Sequence, residues 1–324
     1  MITFENLSRK PGTFKDFTRV SVAEYEGLLE QVTSLWVERD RTRLARPHRQ
    51  RAVGGGRKPA PALREPLLLT LVWLRLYLTT EALGYLFGID KATESRYIWR
   101  MLHILQAIGK VTLGWSEPPK RGKSLEEVRE EHPDPFAFVD ATRQQEGVRK
   151  TRSPRSNIWA KKEAVHAQGA VIVNEEGLVR NVSESVPGSV HDRRLFTQSG
   201  AASKSPKGVV GGDAGYQKIQ NNLPEHSVIT PFEKLKRQPL KEVQNQINQA
   251  FARARIVVEN TIGAFRHFKA LAEVFRQAVA LWDEVVRAVL AIAIRVFRSA
   301  FTQQAWLDEE AWGRGNSAFT IVLQ

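Results

Sequence analysis

From Val22 onward, Tyr25, Leu28, Leu29, Val32, Leu35 and Trp36 recur at helical intervals, and Ser21-Val-Ala-Glu24 ahead of them has capping-box spacing. The pattern predicts an amphipathic helix over about 21–38. Between Glu65 and Leu105 it predicts three more: a Leu-rich helix to Leu78, a short one over Thr80 to Phe87, and one over Lys91 to Leu105. The joint Phe87-Gly-Ile-Asp90 suits a helix-turn-helix. Gly88 permits the positive φ of the turn, Ile89 plugs the angle between helices, and Asp90 can cap the next one. The last helix would turn Lys91, Ser95, Arg96 and Arg100 outward while Ile98, Leu102 and Leu105 pack. Glu94 falls where such motifs bury an aliphatic residue.

Past Pro135 the period shortens. Strands are expected at 136–140, about 163–173, about 177–183, 208–212 and 226–230, with a short helix near Asp192 to Gln198. A long helical region should run from about Pro239 to Ala272, and Val279 to Phe301 reads as a helix covering the core. Strands joined by tight turns and crossovers, with helices packed on them, imply an α/β layer arrangement. The expected division is an N-terminal helix and basic arm (1–62), a helix-turn-helix region (63–118), a linker (119–134), an α/β domain (135–278) and a C-terminal helical cover (279–324).

Charge narrows the function. Lys and Arg number 48 against 35 acids in 324 residues, for a net +13, which points to a polyanion partner, nucleic acid first. The excess is densest at Arg39, Arg41, Arg43, Arg46, Arg49, Arg51, Arg57 and Lys58, with only Asp40 opposing them and Gly54-Gly-Gly56 among them. This stretch is either a solvated linker or a phosphate-contacting arm. Absence of cysteine excludes disulfides and thiolate-held zinc and fits a reducing cytoplasm. The most apolar run, Pro66 to Leu78, contains Arg75 and is too short for a bilayer, and Met1-Ile-Thr-Phe-Glu5 does not begin a signal peptide.

Three acids stand out. Asp140 ends the run Pro135-Phe-Ala-Phe-Val-Asp140, where the text turns polar, so it is expected where a strand leaves the sheet. Asp213 follows Gly208-Val-Val-Gly-Gly212, and Glu259 lies inside the long helical pattern. At 100° per residue, Asn248, Ala252, Arg255, Gly263 and Arg266 fall within about 40° of Glu259, while Phe251, Ala254, Val258, Ile262 and Phe265 form the neighbouring apolar face. Gly263 leaves space one turn beyond the carboxylate. Hard divalent ions such as Mg²⁺ prefer carboxylates drawn from separate elements, and two of them can serve an in-line phosphodiester displacement. Each residue also has a plainer role: a turn carboxylate for Asp140 and Asp213, a solvated ion pair with Arg255 for Glu259.

Taken together, Asp140, Gly212-Asp-Ala-Gly-Tyr216 and Arg255-Ile-Val-Val-Glu259-Asn with Arg266 resemble the DDE motifs of bacterial insertion-sequence transposases, in particular the insertion-sequence-five type related to Harbinger transposases. Gly54-Gly-Gly-Arg-Lys-Pro59, Leu86-Phe-Gly-Ile-Asp90, Lys161-Lys-Glu-Ala-Val-His166, Pro187-Gly-Ser-Val-His-Asp192, Pro231 and Asn248 extend the likeness over nearly the whole chain. The tyrosine often found seven residues before the glutamate is Ala252 here, and the lysine seven after it is Arg266. The resemblance implies a ribonuclease H-like catalytic domain, a mixed five-stranded sheet with helices, preceded by an all-α helix-turn-helix region. Its first and fourth strands would be neighbours, bringing Asp140 and Asp213 to one metal site that Glu259 completes. It also implies two Mg²⁺ ions, Mn²⁺ being an alternative, and DNA contacts from Arg57, Lys58, Lys91, Ser95, Arg96, Arg100, Arg255 and Arg266, with His191 and Asp192 in support. The partners would be double-stranded DNA, both element ends and target, and further copies of the chain assembled on it. The setting would be the bacterial nucleoid, with no membrane. Rival functions are a catalytically silent DNA-binding regulator derived from a transposase and a stand-alone ribonuclease H-like nuclease.

Overall fold

The computed structural model describes residues 1–44, 63–112, 136–145, 166–174, 179–187, 190–198, 209–217, 227–234, 239–277 and 281–304. The chain divides into two compact units: Met1–Thr112 with His267–Glu273 and Glu284–Val296, and Leu113–Arg266 with Val274–Asp283 and Phe297–Gln324.

The first unit is helical. It holds α1 (Phe4–Ser8), α2 (Pro11–Thr18), α3 (Val22–Leu44), α4 (Arg64–Leu76), α5 (Thr80–Phe87) and α6 (Lys91–Thr112). The capping box at Ser21 is real: Ser21 N–H donates to Glu24 Oε2 at 2.7 Å and Glu24 N–H to Ser21 Oγ at 3.2 Å. Phe4, Phe14 and Tyr25 pack as an aromatic trio with centroids 4.9–5.7 Å apart. Every residue from Pro66 to Leu74 of α4 is buried, as its apolar run requires. The turn between α5 and α6 follows its local chemistry. Gly88 takes φ +67° at the end of α5. Asp90 Oδ1 then accepts from the N–H groups of Ala92 and Thr93, both at 3.0 Å.

The second unit is built on a mixed sheet of β1 (Phe136–Gln145), β2 (His166–Asn174), β3 (Val179–Val182), β4 (Val186–Pro187), β5 (Val209–Gly211) and β6 (Ser227–Ile229). Five strands run in the order β3-β2-β1-β5-β6, and β4 pairs with β2. β1, β2 and β3 are antiparallel neighbours, while β1, β5 and β6 are parallel. This order and these senses make the domain ribonuclease H-like. Val139, Ala170, Ile172 and Val210 on one face pack with Leu195 and Phe196 of α7 (Asp192–Gln198) and with Tyr216. Phe138 meets Phe251 of α8 (Glu242–Phe265), ring centroids 6.3 Å apart.

Three details differ from the sequence expectation. β1 does not stop at Asp140 but pairs with β2 as far as Gln145, so Asp140 lies inside the strand. The polar tail is tolerated because its backbone is in the ladder and because the buried Gln144 accepts from Trp282 Nε1 at 2.7 Å. The long helical region breaks after Phe265. Phe268 turns inward with extended backbone and is buried, and only α9 (Lys269–Ala272) resumes the helix. Finally α10 (Trp282–Gln304) is divided between the units, its middle, Glu284–Val296, belonging to the helical one and only its two ends to the sheet unit. Val285, Val286, Ala288, Val289, Leu290, Ala291, Ile292 and Ala293 are all buried, so this segment is apolar nearly all round and core in character.

Candidate active site

The parallel pairing of β1 with β5 sets Phe138 opposite Gly211. Two residues beyond that last pair, Asp140 lies within β1 and Asp213 lies just past the end of β5, as the N-cap of the turn that follows it. Gly212 makes the step to Asp213 tight: a Cβ there would lie 2.7 Å from the Tyr216 Cβ. Asp213 then caps a 3-10 turn, Ala214–Tyr216, its Oδ1 accepting from Gly215 N–H at 2.8 Å.

Asp140 is half-buried, and its Oδ1 accepts from Ala141 N–H at 2.7 Å. Burial raises its pKa above the ordinary aspartate value. The Ala141 N–H and the Arg255 guanidinium act against that rise, and the negative charges of Asp213 and Glu259 add to it. All three acids thus act within one electrostatic neighbourhood. Glu259 projects from α8 with its side chain 59% exposed, beside the buried Val258 and Ile262. Gly263 beyond it has open space where a Cβ would be. Arg255, one turn earlier, places Nη2 3.4 Å from Asp140 Oδ2 and 3.8 Å from Glu259 Oε1. Among the described residues, no three acidic or histidine side chains already stand close enough to share an ion.

Asp192 and Arg143 belong to the same cluster. Arg143 Nη2 lies 2.6 Å from Asp192 Oδ1. A Cβ on Gly215 would sit 3.0 Å from Asp213 Oδ1 and 3.2 Å from Asp192 Oδ2, so these two carboxylates flank one glycine. Tyr216 is fully buried and its hydroxyl has no hydrogen-bond partner. Burial drives its pKa well above the usual phenol value, and Asp140, Asp192 and Asp213 push the same way. Sequence reasoning passed over Arg143 and Tyr216. For Tyr216 the available signal was its place in Gly-Asp-Ala-Gly-Tyr. His191 is exposed beside Asp192. Asn248 clamps the loop before α8, accepting from Phe232 N–H at 2.8 Å and donating to Phe232 O at 3.0 Å.

On α6, Lys91, Arg96 and Arg100 are exposed and Ser95 is half-exposed, while Ile98, Leu102 and Leu105 are buried, as expected for a reading helix. Lys91 is ion-paired with Glu81 of α5. Arg96 Nε donates back to Ala92 O at 2.8 Å. Arg266 is exposed at the end of α8. Arg57 and Lys58 lie outside the described residues.

Comparison with known proteins agrees with this geometry. Residues 62–110 match a family model described as the helix-turn-helix of DDE superfamily endonuclease, and residues 144–293 match the DDE superfamily endonuclease itself. The chain is a DDE transposase of the insertion-sequence kind. A probable transposase for insertion sequence element IS702 from Microchaete diplosiphon is 24% identical over 224 residues, 68% of this chain and 76% of that protein. Among solved structures, a pre-cleavage Mos1 transpososome is similar at TM-score 0.26 and 9% identity, covering 92% of this chain and 94% of that one. A Mos1 transposase paired-end complex with left transposon end follows at TM-score 0.19 and 9% identity, covering 79% and 86%. Likeness at these scores carries no weight beside the sheet order. Asp213 and Glu259 fall inside the matched endonuclease segment of the transposase, and Asp140 stands four residues ahead of it. Transposases of this superfamily use divalent metal ions. No helix among the described residues is long and apolar enough to cross a membrane.

Proposed function

We propose that this transposase, of the insertion-sequence-five type, cuts DNA at the terminal inverted repeats of its own element and joins the freed end to a target. Asp140, Asp213 and Glu259 are the acids that hold two divalent cations, Mg²⁺ or Mn²⁺. What supports the reading is the parallel pairing of β1 with β5, whose last pair stands two residues before both Asp140 and Asp213, with Asp140 under the charge of both other acids. The donor set suits a hard cation in kind, being all carboxylate oxygen, and the site already draws a positive group, Arg255, toward Asp140 and Glu259. When bound, the cations supply positive charge at the transferring phosphate and ease ionisation of the attacking water.

In the first step a water oxygen bonds to phosphorus at the element end, and the bond from that phosphorus to the 3′ oxygen breaks, leaving a 3′-hydroxyl. In the second, that hydroxyl bonds to a target phosphorus, whose own bond to a 3′ oxygen breaks. Each step exchanges one phosphorus–oxygen bond for another, so no outside energy source is required. The chain's task is therefore placement. Arg96 and Arg100 on the exposed face of α6 read the ends, with Ser95 beside them. Lys91, Arg57, Lys58 and Arg266 contact phosphates. Copies of the chain assemble on the paired ends in the bacterial cytoplasm, and His191 and Asp192 brace the acidic set.

The test is cleavage of duplex carrying the element end by purified protein with Mg²⁺, Mn²⁺ or Ca²⁺. Alanine at Asp140, Asp213 or Glu259 should lower the rate about a hundredfold or more, the scale of one lost electrostatic contribution, while end binding persists. Asp192→Ala should keep measurable cleavage, and Ca²⁺ should permit binding with little chemistry. Wild-type rates in Asp140→Ala or Glu259→Ala would remove these acids from the mechanism. An inactive wild type with intact binding would point to the regulator instead.

A further inference from the structure

The acidic set already contains a cation, and it is a side chain. Arg255 Nη2 lies within 3.4 Å of Asp140 Oδ2 and 3.8 Å of Glu259 Oε1, so oxygens from a strand and a helix converge on one positive group. The Arg255 side chain is only 16% exposed, and its buried Nε has no hydrogen-bond partner. A guanidinium placed for its own hydrogen bonding would not leave that donor unused. Its position answers to the carboxylates. A divalent ion held by the same oxygens needs contacts of roughly 2.0–2.2 Å, much shorter than the arginine makes. Ion and guanidinium therefore cannot occupy the space between Asp140 and Glu259 together.

We propose that Arg255 is the built-in counter-ion of the metal-free site, which an entering divalent cation must displace, so that Arg255 sets the protein's metal affinity. This rests on Asp140 and Glu259 being metal ligands. In the metal-free protein the arginine keeps a half-buried carboxylate from standing unpaired. With metal bound, the displaced guanidinium swings from the ligands toward the exposed side of α8, where it is free to meet DNA phosphate. Metal loading and the phosphate contact of Arg255 then become one event.

The experiment uses the full chain without DNA and reads free Mn²⁺ by its electron paramagnetic resonance signal. Removing a close positive charge from a cation site typically changes affinity by about tenfold or more, so Arg255→Met should bind Mn²⁺ at least that much more tightly than wild type. Its metal-free melting temperature should be lower than that of wild type, and Mn²⁺ should raise it further. Arg255→Lys, which keeps the charge, should bind much as wild type does. Equal or weaker Mn²⁺ binding by Arg255→Met overturns the proposal. Asp140→Asn separates the two ideas. If it loses Mn²⁺ while Arg255→Met is unchanged, only the counter-ion role fails. If Asp140→Asn binds Mn²⁺ like wild type, or wild type binds none, the metal-ligand assignment fails and takes the proposal with it. Should Arg255→Met not fold, the side-chain Nε–H nuclear magnetic resonance signal of Arg255 in wild type, assigned by its absence from Arg255→Lys, decides. It should shift or broaden as Mg²⁺ saturates the site, and an unmoved signal overturns the proposal.

Discussion

Glu94 offers a quantitative test of the helical unit. It sits in the first turn of α6, 0% exposed, and neither carboxylate oxygen has a hydrogen-bond partner. Burial, followed by the charge of Glu81, pushes its pKa up to about 7 from 4.5, with Lys91 pulling the other way. The sign follows from proton counting. Below pH 4.5 folded and unfolded chains both hold the proton, and Glu94 costs nothing extra. As pH rises toward 7 the unfolded chain has lost its proton while the folded chain keeps it, so stability declines through that window and levels off above it. A gap of about 2.5 units at roughly 1.4 kcal/mol per unit makes the loss about 3 kcal/mol. Glu94→Leu supplies the aliphatic residue the position calls for and removes the titration. Urea unfolding of the full chain, followed by far-ultraviolet circular dichroism between pH 4.5 and 8, should show the advantage of the leucine variant over wild type growing by about that amount. Glu94→Gln should flatten the pH profile in the same way while gaining less, since its amide is also buried without a partner. Parallel profiles for wild type and Glu94→Leu would refute the reasoning.

Other positions give sharper local tests. Gln144→Leu leaves the fully buried Trp282 indole N–H without its acceptor, so urea unfolding should show a loss of about 1–3 kcal/mol. Gly212→Ala sets a Cβ against Tyr216, and an overlap of that kind costs about 1–3 kcal/mol. Because Asp213 is the next residue, the cleavage rate at saturating Mg²⁺ should fall further than the melting temperature accounts for. In filter or anisotropy binding, Lys58→Ala should weaken every duplex alike and lower the salt slope, whereas Arg96→Ala should mainly erode the preference for element ends. An equal loss on both kinds of duplex would assign Arg96 to the backbone.

What could be read from the chain divides by sequence distance. The α5–α6 turn was legible because its determinants are local: Gly88 supplies the left-handed residue and Asp90 caps its own helix within three positions. The strands were legible from β-branched runs. The extension of β1 past Asp140 was not, because Arg143, Gln144 and Gln145 look like solvent-facing text. What buries Gln144 is an indole 138 positions away. Asp192 shows the same limit, its partner Arg143 lying 49 positions upstream. α10 illustrates a different one: apolarity all round announces burial but cannot say which unit supplies the partners.

Arg255 sits on both sides of this division. Its spacing to Glu259, one helical turn, was readable and left an ordinary solvated ion pair as the plainer alternative. The structure adds Asp140, 115 positions away, to the same guanidinium. That addition changes the chemistry of the pair. An exposed i,i+4 contact is worth a few tenths of a kcal/mol at most and dispensable. A guanidinium mostly withdrawn from solvent and shared by a half-buried strand carboxylate and a helix carboxylate is bound into the site itself. Glu259 remains largely exposed while Asp140 does not, so the arginine is held mainly from the strand side, and the helix side is the open route by which it leaves. Gly263, with no atom near its missing Cβ, keeps the next turn of that helix clear.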